Sequence, residues 1–175
     1  MGVDRRQMST QEHKAQSPKQ VTCMVITVSD TRTEETDKSG QLMQQLLQEA
    51  GHAIALYQIV RDEPVEVVSA IERGLEHEEV QVILLNGGTG ISPRDNTFEA
   101  VSGLLDKEIP GFGELFRMLS YTEDIGSAAM LSRAIAGCCK GKAVFSTPGS
   151  TGAVRLAMNK LIVPELGHMV RELNR

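Results

Sequence analysis

Apolar residues in this chain fall into two alternating rhythms. Residues 21–29 form a β-branched, apolar run bounded by polar residues, the signature of a buried strand. Asp37-Lys38-Ser39-Gly40 then opens a stretch in which Leu42, Met43, Leu46, Leu47 and Ala50 recur at helical spacing, with Gly51 as the stop. A second strand is predicted over 52–60. Pro64 starts a second helix, which carries Val67, Val68, Ile71 and Leu75 on one face. Residues 80–85 read as a third strand, followed after a glycine-rich turn by a helix over 97–105. Another helix follows Pro110-Gly111, with Phe112, Leu115, Phe116 and Leu119 on one stripe. Residues 132–138 and 142–147 read as two strands around Lys140-Gly141, and closing helices are interrupted near Pro164.

Strands alternating with 10–15-residue helices signal βαβ units, hence a mainly parallel sheet. The late strand pair adds an antiparallel edge. The expectation is one α/β domain, a three-layer α/β/α sandwich over residues 21–175. Residues 1–20 are polar and read as a mobile tail.

Composition narrows the function. Eighteen basic against 23 acidic residues give a formal charge of −5, which argues against a nucleic-acid partner. With no Trp, two Tyr and four Phe, base-stacking platforms are scarce. No stretch approaches the roughly 20 apolar residues of a membrane span, and the N-terminal residues lack the apolar middle of a signal peptide, so no membrane partner and a cytoplasmic location are expected. Cys23, Cys138 and Cys139 have no metal-ligand spacing and read as reduced thiols, and the four histidines are scattered.

The most informative segment is Asn86-Gly87-Gly88-Thr89-Gly90-Ile91-Ser92-Pro93-Arg94-Asp95, directly after the third strand. Its glycines let backbone N–H groups approach an anion without side chains in the way. Arg94 is suited to phosphate, and Asp95 to a divalent metal bridging phosphates. The segment lacks both the P-loop pattern and the dinucleotide fingerprint.

In consecutive right-handed βαβ units, the residues beyond the C-terminal ends of parallel strands line one rim. Asp30, Asp62 and Asp95 follow strands one, two and three, so they are expected to converge there. Two carboxylates 4 Å apart repel by about 4 kcal/mol at an effective dielectric of 20, which favours a divalent cation between them. Oxygen ligands without His or Cys suit Mg²⁺. Any one of these aspartates taken alone is also a plausible turn or cap residue. Pro148-Gly149-Ser150, between a strand and a helix, offers a further anion-facing turn.

Taken together, Ser29-Asp30, Asp37-x-Ser39-Gly40, Asp62-Glu63, the loop 86–95, Pro110-Gly111-Phe112-Gly113, Ser132-Arg133 and Pro148-Gly149-Ser150 resemble the molybdenum cofactor biosynthesis family, in order from about residue 21 to 164. The run Phe116-Arg117-Met118-Leu119-Ser120 and the Ser-Thr after Pro148-Gly149 look most like its protein B branch. The resemblance implies a trimer or hexamer, molybdopterin as ligand and, in active members, transfer of AMP from Mg-ATP to the terminal phosphate of molybdopterin. By the same resemblance Asp62 and Asp95 are the metal-linked catalytic carboxylates. Gly87, Gly88, Thr89 and Gly90 embrace nucleotide phosphate with Ser92 and Arg94 nearby, and Pro148, Gly149 and Ser150 border the pocket; Ser29 and Asp30, on the same rim, are further candidate substrate-binding residues, with contact of Asp30 to the ligand left open. Two departures stand out: Asn96 and Phe98 replace the usual Val and Pro, and Ser150-Thr151 replaces Asn-Pro or Gln-Pro. A non-catalytic molybdopterin-binding or carrier protein, and a scaffold that assembles other cofactor enzymes through the helix at 111–120, remain open alternatives.

Overall fold

A computed structural model of the chain describes residues 10–12 and 14–175. Four strands form a parallel set: β1 (Thr22–Val28), β2 (Ala53–Val60), β3 (Val82–Asn86) and β6 (Lys142–Thr147). The antiparallel β5 (Ile135–Cys139) pairs with β6, and the two-residue β4 (Lys107–Glu108) closes that edge, giving the order β2-β1-β3-β6-β5-β4. β5 and β6 are joined by Lys140-Gly141, where both residues take the left-handed backbone that a tight hairpin requires.

β1 is buried on both sides, and its side chains alternate between two cores. Cys23 and Val25 face one layer, built by α1 (Lys38–Glu49), α4 (Pro110–Glu123), α5 (Thr151–Ala157) and α6 (Val163–Leu173). Met24, Ile26 and Val28 face the other, built by α2 (Pro64–Glu76) and α3 (Thr97–Leu104). The three-layer α/β/α arrangement with an antiparallel edge is the one expected from the sequence.

Local chemistry sets the helix ends. Asp37 caps α1 by accepting from the amide of Gly40 at 3.0 Å, and Ser150 caps α5 by accepting from Ala153 at 3.2 Å. Pro64 and Pro110 occupy first-turn positions of α2 and α4, where the missing N–H costs nothing. Pro164 has the same place in α6, and the expected interruption is a π turn over Met158–Ile162 that leads α5 into α6.

Three features were not anticipated. β4 is too short to leave a pattern, a 3-10 helix occupies Gly126–Leu131, and Ser132 caps that helix, so β5 begins at residue 135 rather than 132. Of the expected polar tail, residues 1–9 and 13 lie outside the described residues. Residues 14–20 run beside α6: Lys14 pairs with Glu165, Gln16 accepts from Arg171 at 2.9 Å, and the Pro18 carbonyl lies against Gly167. Among the described residues no helix is long and apolar enough to cross a membrane.

Candidate active site at the strand tips

The chain leaves β1 toward β2 on one side and leaves β3 toward β6 on the other, so the connections diverge between β1 and β3. Open α/β sheets bind ligands at such a switch point, beyond the C-terminal strand ends. The loops after β1, β2, β3 and β6 all meet there.

The glycine loop is built by close approach. Gly87 has φ +101°, and a Cβ on it would lie 2.2 Å from the carbonyl oxygen of Val28, the last residue of β1. Gly88 has φ +66°, and its missing Cβ leaves a space approached by Thr97 Oγ1 at 2.1 Å and Asp62 Oδ2 at 2.4 Å. The absent Cβ of Gly90 would sit 2.7 Å from Asp95 Oδ2, and that of Gly149 3.1 Å from Gly87 Cα. Glycine at 87 and 88 is thus a requirement of backbone conformation and of packing together.

Asp62 is 6% exposed. Its Oδ1 accepts from the amide of Asn96 at 3.1 Å, the residue after Asp95, so Asp62 and Asp95 share one corner of the rim. Burial pushes the Asp62 carboxyl above its ordinary value, and the charges of Asp95 and Asp30 add to the effect. Asn96 stands at the N-cap of α3, yet its side chain makes no capping bond; the carboxylate of Asp62 takes over from a different loop. Asp95 turns its own Oδ2 toward the amide of Ser92 at 2.8 Å.

The expected phosphate-facing cation is engaged elsewhere. Arg94 donates to both oxygens of Asp30 at 2.9–3.1 Å and to Glu63 Oε1 at 2.7 Å. Asp30 is correspondingly held below its ordinary carboxylate value by the Arg94 hydrogen bonds and by the amide of Asp62. The Ser29 hydroxyl accepts from the amides of Thr31 and Arg32, and so shapes its own turn.

Four parts of the site had no role assigned from the sequence. Arg133 clamps the glycine loop from outside, donating to Gly90 O and Asp95 O at 2.9 Å each, pairing with Glu99 and lying over the Phe98 ring. Arg32 donates to Gly149 O at 2.9 Å and to Ser39, tying the β1 loop to the β6 loop. Beneath it, fully buried Asp37 accepts from Thr27 and Tyr57 at 2.6 Å each, and Ser39 donates to Asn86 Oδ1 at 2.8 Å. Thr97 is fully buried, and its hydroxyl has no hydrogen-bond partner. The Asp37-x-Ser39-Gly40 run was legible as a helix start and, like Ser132-Arg133, as part of the family resemblance, but without a role for its side chains, and lone residues such as Arg32 and Tyr57 carry no periodic signal.

Two clefts lie at the strand tips, the first along the β1 and β2 tips and the second against the end of the glycine loop. One of about 510 Å³ is lined by Ser29, Asp30, Arg32, Tyr57 and Gln58, and one of about 290 Å³ by Ser92, Asp95, Asn96, Glu99 and Arg133. Among the described residues no three His, Cys, Asp or Glu side chains are grouped so as to hold a metal ion. The donors at hand are two carboxylates and backbone groups, with Asp62 packed directly against Gly88. That set fits a hard cation whose remaining ligands come from phosphate and water, and does not fit a closed protein cage.

This combination, a doubly wound sheet with a glycine loop and aspartates at its switch point, defines a class of α/β proteins with a candidate ligand site at the strand tips. The family model described as probable molybdopterin binding domain matches residues 24–168. The Molybdenum cofactor biosynthesis protein B of Bacillus cereus is 65% identical over 168 residues, 96% of this chain and 99% of that protein. A crystal structure of a Molybdenum cofactor biosynthesis protein B superposes with a TM-score of 0.89 at 65% identity, covering 91% of this chain and 99% of the other. The tungsten cofactor synthesizing protein MoaB from Pyrococcus furiosus superposes with a TM-score of 0.81 at 38% identity, covering 91% of this chain and 100% of that one. The chain belongs to the molybdenum cofactor biosynthesis protein B family.

Proposed function

We propose that this protein is a molybdopterin adenylyltransferase, which uses Mg-ATP to adenylylate the terminal phosphate of molybdopterin. The observation that carries this reading is Asp62: a buried carboxylate with one bonded oxygen, beside a glycine loop and on the same corner as Asp95. A mostly buried carboxylate whose second oxygen takes no hydrogen bond from the protein offers that oxygen to a charged ligand.

In the reaction an oxygen of the molybdopterin phosphate attacks the α-phosphorus of ATP. A new P–O bond forms, the bond from the α-phosphorus to the bridging oxygen breaks, and pyrophosphate departs with that electron pair. A phosphate is already anionic near neutral pH, so no residue need remove a proton from the nucleophile. Catalysis then rests on positioning and on charge neutralisation. The amides of Gly88, Thr89 and Gly90, with Ser92 beside them, receive phosphate oxygens; the amide of Gly87, expected among them, instead donates to the Thr147 carbonyl at 2.9 Å and ties the loop to β6. Asp62 and Asp95 hold Mg²⁺, which supplies charge neutralisation for the triphosphate and its leaving group. Ser29, Pro148, Gly149 and Ser150 border the pocket, with Arg32 fixing the spacing of the β1 and β6 loops. Arg94 stands at the rim with its guanidinium held by Asp30 and Glu63.

This reading places the protein in the cytoplasm as a homotrimer or hexamer. The apolar residues that α4 and the following 3-10 helix leave exposed, Leu115, Met118, Tyr121, Ile125 and Met130, support a contact between copies there. The test is to incubate the purified protein with molybdopterin, ATP and Mg²⁺ and separate the products chromatographically. Adenylylated molybdopterin and pyrophosphate in equal amounts are expected, and both lost in Asp95→Asn. Tight molybdopterin binding without ATP turnover, unchanged in Asp95→Asn, would instead select a non-catalytic binding or carrier protein.

A further inference from the structure

Asp30 is the third aspartate of the rim, and its surroundings differ from those of the other two. Arg94 meets both of its oxygens, with Nη2 at 2.9 and 3.0 Å and Nε at 3.1 Å. The amide of Asp62 adds a fourth bond, to Oδ1 at 3.1 Å. A carboxylate offers about four lone-pair sites, so this one is filled by the protein itself. The remaining connections close a ring. Arg94 reaches Glu63 with its other end, and the amide of Asn96 returns to the Asp62 side chain. The tips of β1 and β2 and the end of the glycine loop are therefore fastened at one point, and that point is Asp30.

We propose that Asp30 is a positioning residue that touches neither cation nor nucleotide: it fixes the main chain of Asp62 and the guanidinium of Arg94, and so sets where the reacting carboxylates stand. The proposal rests on the adenylyltransferase reading for its kinetic consequences, but its structural core does not. Displacements of about 1 Å in a positioning network cost about a hundredfold in rate, and partial loosening costs less. In Asp30→Asn, kcat falls about tenfold while KM for Mg-ATP and the Mg²⁺ concentration at half-saturation stay within about threefold. Arg94→Gln gives a similar loss, and the double variant is little worse than either single one, because both remove the same fastening.

A readout free of turnover comes from amide hydrogen exchange followed by NMR. Asp30→Asn keeps an oxygen that accepts from the Asp62 amide, whereas Asp30→Ala does not. Protection of that amide is expected to persist in the first and to fall about tenfold in the second, with amides of the central strands unchanged as a check on folding. Equal protection in wild type and Asp30→Ala overturns the proposal, as does a tenfold rise in the Mg²⁺ requirement of Asp30→Asn, which would make Asp30 a cation ligand. A wild-type protein without ATP turnover defeats the adenylyltransferase reading alone, and the exchange result then still decides the role of Asp30.

Discussion

Two buried aspartates at the same end of the sheet have opposite environments. Asp37, fully buried, accepts hydrogen bonds from the hydroxyls of Thr27 and Tyr57, the amide of Gly40 and the Arg32 guanidinium, so both of its oxygens are engaged. Asp62 is nearly as buried but accepts one bond, from the amide of Asn96, and its second oxygen packs against Gly88 near the unpartnered Thr97 hydroxyl. A buried charge that is fully hydrogen-bonded holds structure together, whereas one left half-satisfied is retained for something that arrives later. The difference separates scaffold from site better than burial does.

The comparison breaks most readily at the site carboxylates. Asp62→Asn and Asp95→Asn are each expected to lower adenylyl transfer by about 10²–10³-fold, the scale of losing one well-placed electrostatic contact, with urea unfolding midpoints close to wild type. A loss of stability equal to the loss of activity would put Asp62 in the same category as Asp37. Asp37→Ala should do the reverse, lowering stability by about 3–5 kcal/mol in denaturant titrations because Arg32 and three other donors lose their acceptor. Gly87→Ala comes next. Its φ of +101° and the Val28 carbonyl 2.2 Å from the new methyl predict a destabilisation of about 3 kcal/mol, read as a fall in the unfolding midpoint. Arg32→Lys loses the forked contact to Gly149 and Ser39 and is expected to cost about 1–2 kcal/mol.

The smallest effect sharpens the contrast through pH. The Asp62 carboxyl is raised in the folded protein above its ordinary value of 3.8, so in that interval the native state binds more protons than the unfolded chain. Stability contributed by this residue therefore falls as pH rises from 3.8 to the raised value and stays lowered above it. Asp30 and Glu66, held low by their arginine partners, work in the opposite sense and lose stabilisation as pH falls. Subtracting the Asp62→Asn profile from that of the wild type isolates the first term. A flat difference between pH 4 and 7 would mean the Asp62 charge is not buried at a cost.

The architecture was legible because the strands are apolar on both faces and the helices keep a regular stripe. Val25, Leu84 and Leu47 announce themselves by spacing alone. The glycine loop was legible because three glycines in four residues have few structural uses, and the rim because parallel connectivity dictates it. The partners of each polar group were not legible. Arg94 appeared as a phosphate cation from its neighbours in sequence, yet its contacts are Asp30 and Glu63, which the fold brings from other strand tips. Arg32, Tyr57 and Arg133 work only through long-range contacts, for which periodicity has no signal. The short β4 follows from pairing with β5, not from any pattern of its own.

The central claim is that Asp62 and Asp95 serve a single cation–nucleotide site, and calorimetric titration of a non-hydrolysable ATP analogue tests it most directly. The account predicts that binding depends on Mg²⁺, that Asp62→Asn and Asp95→Asn each weaken it by about tenfold or more, and that the double variant is scarcely worse than the singles. Nucleotide binding indifferent to Mg²⁺ and to both substitutions would contradict it.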